Sequence, residues 1–293
     1  MIYRETPVIE LKTPFSKEQE ISITVKREDL NHPTVSGNKW WKLKYNLEQA
    51  LKGKYNTVLT FGGAYSNHIY ATAAAAKECG LRSIGVIRGE KVKPLNPTLT
   101  FAESMGMHLH YVTREMYKTK NNPEFIQSLE DEFGQFYLIP EGGTNALAIQ
   151  GCEEWASQLI DQIDFDYLCL PVGTGGTMAG MVNIIRSKKI IGFSSLKGGS
   201  FLTDEIFRWI NQTGNNWEIE TRYHFGGYGK VNEELIRFIK SFEAEHQIPL
   251  DPIYTAKMMY GIIDRIKKNK FKKGAKILVL HTGGLQGRAG FNF

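Results

Sequence analysis

The chain has 293 residues, of which 42% are apolar and 23% charged, and its formal net charge is +5. At about 150 residues per domain this length predicts two compact units, and the composition excludes a disordered or collagenous chain. The positive charge is mild and forms no stripe, which argues against a nucleic-acid partner. No apolar run approaches the roughly 18 residues of a membrane span. The opening Met1–Lys12 carries Arg4, Glu5 and Glu10 and lacks a long apolar stretch, so it does not read as a secretory signal. Cys79, Cys152 and Cys169 are far apart with no Cys-x-x-Cys. Neither a disulfide framework nor a metal site is expected, and a cytoplasmic location fits.

From about residue 55 onward, short apolar runs alternate with helical patterns. Asn56–Phe61 reads as a buried strand, followed by an alanine-rich helix over Ser66–Glu78 that Gly80 closes. Arg82–Arg88 is the next strand. Asn96-Pro97 then starts a helix, with Asn as the capping residue and Pro at the first helical position. Leu109–Val112 is a strand, Asn122-Pro123 starts a helix that Gly134 stops, and Phe136–Ile139 is a strand. A helix over Leu147–Ile160 leads to a strand at Asp166–Val172, a glycine loop and another helix. Then come strand Ile190–Ser194, helix Leu202–Ile210, strand Ile219–Tyr223, helices Val231–Glu245 and Lys257–Lys268, and a last strand at Ile277–His281. Such alternation predicts an α/β fold with open, mostly parallel twisted sheets flanked by helices. The Lys267–Lys273 cluster reads as lysines at a helix C-terminus followed by a solvated turn.

Three segments carry candidate chemistry. The first, Leu170–Gly180, is a glycine loop between a strand and a helix, where backbone N–H groups converge on an anion. It lacks the Lys of a phosphate-binding P-loop. It also has Met178 where a dinucleotide fingerprint needs its third glycine, and Gly192–Gly199 offers no acid for a ribose. A monophosphate cradled by Gly173, Thr174, Gly175, Gly176 and Thr177 remains, and a tight structural turn fits equally well. The second segment is Phe61–His68, where Ser66 can cap a helix and Asn67 and His68 fall at the carboxyl edge of a sheet. The third is Thr34–Lys44. Its Lys39 reads either as one more surface lysine or as an amine whose pKa burial lowers, making it nucleophilic.

Ser36-Gly37-Asn38-Lys39, Gly62-Gly63-x-x-Ser66-Asn67-His68 and the Gly173–Thr177 loop, in that order, resemble the pyridoxal-phosphate enzymes of the tryptophan-synthase β fold type. The branch they resemble most contains 1-aminocyclopropane-1-carboxylate (ACC) deaminase and D-cysteine desulfhydrase. Three later segments agree: Gly226-Gly227-Tyr228-Gly229, Asp251-Pro252-Ile253-Tyr254-Thr255-Ala256-Lys257 with Ala256 in place of a usual Gly, and His281-Thr282-Gly283-Gly284. The resemblance implies that Lys39 bonds pyridoxal 5'-phosphate covalently and that Asn67 hydrogen-bonds its phenolic oxygen. It implies further that Gly173–Thr177 hold the phosphate and that Thr282 faces the pyridine nitrogen. Tyr254 would stack near the ring, Tyr228 would reach the substrate, and Ser66 would bind the substrate carboxylate or assist proton transfer. A packing role for His68 fits as well as a catalytic one. Tyr65 stands where the family usually has Gln, and Trp40-Trp41 follow Lys39 where smaller or basic residues are common, so both departures bear on the substrate pocket. The residue after Tyr254 is an acid in ACC deaminases and Thr255 here, and their residue matching Thr282 is apolar.

The resemblance implies a smaller α/β domain of about residues 45–138 and a larger cofactor-binding domain of 1–44 plus 139–293, with the site in the cleft and a homodimer as the assembly. The reading is a pyridoxal-phosphate-dependent lyase acting on a small amino acid, D-cysteine first, giving pyruvate, ammonia and hydrogen sulfide. A neutral Thr282 makes the cofactor ring a weaker electron sink, which suits loss of a leaving group from Cβ. ACC deamination is the enzymatic alternative. A non-catalytic module binding a phosphate ligand is the alternative from another class, and it would have no need of an amine at Lys39.

Overall fold

The central strands are short runs buried on both faces, as parallel sheets covered by helices require, while the edge strands are partly exposed. The computed structural model describes residues 1–14, 18–211 and 214–291. Among them, strands β1 (Val8–Glu10), β2 (Ser22–Lys26), β3 (Thr57–Gly63), β4 (Arg82–Arg88) and β5 (Met107–Val112) precede β6 (Tyr137–Ile139), β7 (Tyr167–Val172), β8 (Lys189–Ser194), β9 (Trp217–Glu220) and β10 (Lys276–Leu280). One sheet has the order β1-β2-β10-β7-β8-β9 and the other β5-β4-β3-β6. Every pairing is parallel except β1 with β2. The α/β class with mostly parallel sheets is therefore as expected.

Local signals do the work anticipated for them. The Ser66 hydroxyl accepts from His68 N and Ile69 N and caps helix Asn67–Glu78. Asn96 caps Pro97–Ser104 through Leu99 N. Gly80 and Gly134 take positive φ after their helices. Three differences stand out. β1 and β2 were not foreseen; in β2 and just before it, Ile21, Ile23 and Val25 alternate into the core. Helix Leu202–Phe207 stops three residues earlier than expected. β9 ends at Glu220 rather than continuing to Tyr223, because the Glu220 carboxylate accepts from Arg222 N, the Arg222 guanidinium and Arg265. That turns the chain away from the sheet, and Tyr223 donates to Asp264 at 2.6 Å instead of extending the strand.

Helix Asn38–Lys52 packs its apolar face inward. Trp41 stacks on Trp155 at 5.8 Å and donates its indole N–H to Glu28 at 3.0 Å. Trp40 and Trp41 are thus core residues, and neither lines the cavity described below. Among the described residues no helix is long and apolar enough to cross a membrane. The loops after β3, β7 and β10 all leave the carboxyl ends of their strands, where open α/β sheets bind ligands.

Candidate active site

A cavity of ≈ 580 Å³ opens between residues of both sheets. It is lined by Lys39, Ser66, Asn67, Gly173, Thr174, Gly175, Thr177, Tyr228, Tyr254 and Thr282, so ten of the eleven positions singled out in the sequence meet there. Gly176, the eleventh, is the first residue of helix Gly176–Ile184 just behind the lining.

Gly37 explains how the first and last of these segments meet. Its φ is +71°, and a β-carbon there would fall 1.9 Å from the Thr282 carbonyl oxygen. Only glycine permits that approach. It lets Asn38 N donate to Thr282 O at 3.4 Å and starts the helix that carries Lys39. The Lys39 amine donates to Asn38 Oδ1 at 3.0 Å, and Asn38 Nδ2 donates to Thr177 Oγ1 at 2.9 Å. Asn38 therefore ties the lysine to the glycine loop. Burial pushes the Lys39 amine down to about 8.

The glycine loop turns on Gly175, whose φ of +83° is left-handed and is followed at once by helix Gly176–Ile184. The first-turn N–H groups of that helix have no intrahelical acceptor and face the cavity end of the dipole. Beside them stands Lys42, which the sequence reading did not single out. Its buried amine donates to Gly142 O at 2.5 Å and Thr144 Oγ1 at 2.9 Å, and lies 3.5 Å from Thr174 Oγ1. Burial, and then the nearby Lys39 charge, push it down to about 7. A buried amine with only neutral partners beside open helix N–H groups is a cradle suited to a phosphate. The one signal in the sequence was spacing: Lys42 lies three residues after Lys39, on the same helical face.

On the opposite wall, Tyr254 lies against Gly173, whose β-carbon would sit 3.2 Å from the phenol oxygen. The Tyr228 and Tyr254 rings are 6.1 Å apart, edge to face. Burial raises both phenols, so both stay protonated at neutral pH. Lys257 donates to His224 O at 2.9 Å and Gly227 O at 2.8 Å, which clamps the loop that presents Tyr228. Thr255 does not face the cavity: it donates to Asp251 Oδ2 at 3.0 Å. Asn67 accepts from Gln286 at 2.5 Å through Oδ1, which leaves its Nδ2 as the donor end. His68 is buried on Thr60 at 2.9 Å, and burial holds it neutral. The Tyr65 ring, expected beside Ser66, packs instead over Gly290 and stays outside the lining.

A buried amine, a phosphate cradle, a flanking phenol ring and a hydroxyl after a strand define a site of the pyridoxal-phosphate class. The chain belongs to the pyridoxal-phosphate-dependent enzyme family, whose model matches residues 1–283. It is 31% identical over 298 residues to a Pyrococcus horikoshii protein provisionally named 1-aminocyclopropane-1-carboxylate deaminase, covering 97% of this chain and 90% of that one. It is 30% identical over 290 residues to an Arabidopsis thaliana mitochondrial protein named bifunctional D-cysteine desulfhydrase/1-aminocyclopropane-1-carboxylate deaminase, covering 90% and 72%. A solved structure described as an ACC deaminase homologue superposes with a TM-score of 0.85 at 30% identity, covering 98% of this chain and 91% of the other.

Proposed function

We propose that this chain deaminates a small amino acid by β-elimination, with D-cysteine as the preferred substrate and ACC as the second reading. The observation that carries the choice is the neutral Thr282 at the cavity, since Thr255 is buried on Asp251 and turned away from it. Opening a cyclopropane ring builds carbanion character at a carbon without a leaving group, which calls for a strong electron sink or a nearby acid. The Thr282 hydroxyl supplies neither. D-Cysteine brings its own leaving thiolate.

In this reading Lys39 bonds pyridoxal phosphate, and Asn38 orients the amine. Lys42, the helix N-terminus and Thr174 and Thr177 hold the phosphate, which returns the Lys42 amine to its charged form. Asn67 and Thr282 would hydrogen-bond the cofactor, and Tyr254, beside Gly173, would flank it. Bound pyridoxal phosphate supplies the sink for the electron pair left at Cα. Lys39, freed when substrate binds, takes the Cα proton; an amine pushed down to about 8 suits a general base near neutral pH. Ser66 holds the substrate carboxylate with its remaining O–H. Tyr228 closes the mouth on the leaving-group side. The two sheets fit a division into units of about 45–138 and 1–44 plus 139–293, and a homodimer is the proposed assembly.

The test is kcat/KM for D-cysteine, L-cysteine, D-serine, β-chloro-D-alanine and ACC. D-Cysteine is expected to be turned over fastest. A clear preference for ACC rejects the substrate choice, and no cofactor absorbance in the purified protein favours the binding-module alternative.

A further inference from the structure

The cavity lining holds two basic side chains that the proposed chemistry does not use, Lys120, which pairs with Glu141, and Arg88. Arg88 ends β4, in register with Gly63 of β3, and so stands on the carboxyl edge that presents Ser66 and Asn67. A β-carbon on Gly63 would lie 3.4 Å from the Arg88 guanidinium, and both residues line the cavity. The guanidinium sits 5.5 Å over the Tyr117 ring, which is fixed because its hydroxyl donates to Glu141 at 2.7 Å. Its charge is also felt at Tyr228, across the mouth.

The cavity's carboxylates are already taken. Glu141 accepts from Tyr117 and pairs with Lys120 at 3.3 Å, and Glu205 pairs with Arg208 at 2.8 Å. Among the described residues no carboxylate pairs with Arg88. A guanidinium presents a planar fork matched to carboxylate, sulfonate or phosphate. The cofactor phosphate has its own cradle at Lys42, and the α-carboxylate has Ser66 and the start of helix Asn67–Glu78.

We infer that Arg88 receives a second anionic group, carried on the β-substituent of the substrate. This rests on the proposed elimination and extends its substrate class to amino acids whose β-substituent itself carries an anionic group. For O-phosphoserine as the probe, the Cα proton passes to Lys39 and the pair it leaves forms the Cα–Cβ double bond. The Cβ–O pair departs with phosphate. Tautomerisation and hydrolysis then give pyruvate and ammonia, so one water is consumed for each phosphoserine.

The experiment uses the cofactor-loaded enzyme and follows pyruvate from O-phospho-D-serine, O-phospho-L-serine, D-serine, L-serine and D-cysteine. It compares wild type with Arg88→Gln and Arg88→Lys. In the wild type, kcat/KM for one phosphoserine enantiomer is expected to exceed that of the matching serine at least about tenfold. Arg88→Gln should erase this ratio, chiefly through KM, and Arg88→Lys should keep part of it. An equal fall on every substrate would make Arg88 an α-carboxylate ligand or a structural residue and overturn the inference. So would a wild type that turns over D-cysteine without favouring phosphoserine, and the proposed elimination would then still stand. Absence of cofactor absorbance would remove both.

Discussion

Lys39 and Lys42 lie one helical turn apart, and their buried amines meet the same cavity. Crowding two lysines there costs stability in the cofactor-free chain, and the cost depends on pH. Their folded values, about 8 and about 7, lie below the unfolded 10.5, as does Lys257 at about 8. Between the folded and unfolded values the unfolded chain binds more protons, so stability rises with pH. Cys152, pushed up to about 11 by burial, opposes this only above its ordinary 9. The Tm of the cofactor-free protein is therefore expected to rise between about pH 7 and pH 8.5, and bound cofactor should flatten the slope. A Tm that is flat or falls across this window would mean the amines keep their protons. Borohydride reduction of the loaded protein followed by peptide mapping should place the adduct on Lys39; an adduct on Lys42 or Lys44 would refute the assignment. Thr282→Val should retain cofactor and slow elimination roughly tenfold, the value of one hydrogen bond in a barrier. Unchanged turnover would take Thr282 out of the chemistry.

Helix contacts set where those lysines stand. Helix Asn38–Lys52 crosses helix Ala146–Gln162 so closely that a β-carbon on Gly151 would fall 2.0 Å from the Trp41 carbonyl. Backbone cannot yield as a side-chain tip would. Gly151→Ala should destabilise by about 1–3 kcal/mol and weaken cofactor binding, since Lys42 follows Trp41 on the displaced helix. Thermal unfolding and cofactor titration check this; a wild-type midpoint would show that the helices separate freely. Neither Gly151 nor its contact was legible beforehand, because the partner lies on another helix. Elements marked by local chemistry were legible: Asn96-Pro97, Gly80, Gly134 and the strand Arg82–Arg88 all stand where the sequence puts them. β2 was not, since one of its two partner strands is remote: Thr24 stands in register with Leu278 of β10. The same division holds in the cavity. Lys39, Asn67, Thr282 and the glycine loop belong to compact motifs that can be read in order. Lys42 and Arg88 look like ordinary surface residues until the fold turns them inward.

At the level of the whole molecule the two sheets draw on the chain differently. The four-stranded sheet is contiguous, from Thr57 to Ile139, whereas the six-stranded sheet joins strands from both ends of the chain. The tie that joins them is β2, held between β1 and β10. On a ribosome, which releases sequence from the amino end, the four-stranded sheet can assemble while the rest is still being made. β2 must wait, its edge unpaired, until β10 emerges. Thr282 follows two residues after β10, so the wall beside Lys39 is synthesised long after Lys39 itself. Until then Lys39 is an accessible primary amine with no complete pocket around it. The nascent chain thus cannot hold a reactive aldehyde in register until β10 and Thr282 have emerged, and capture of the cofactor waits on that strand.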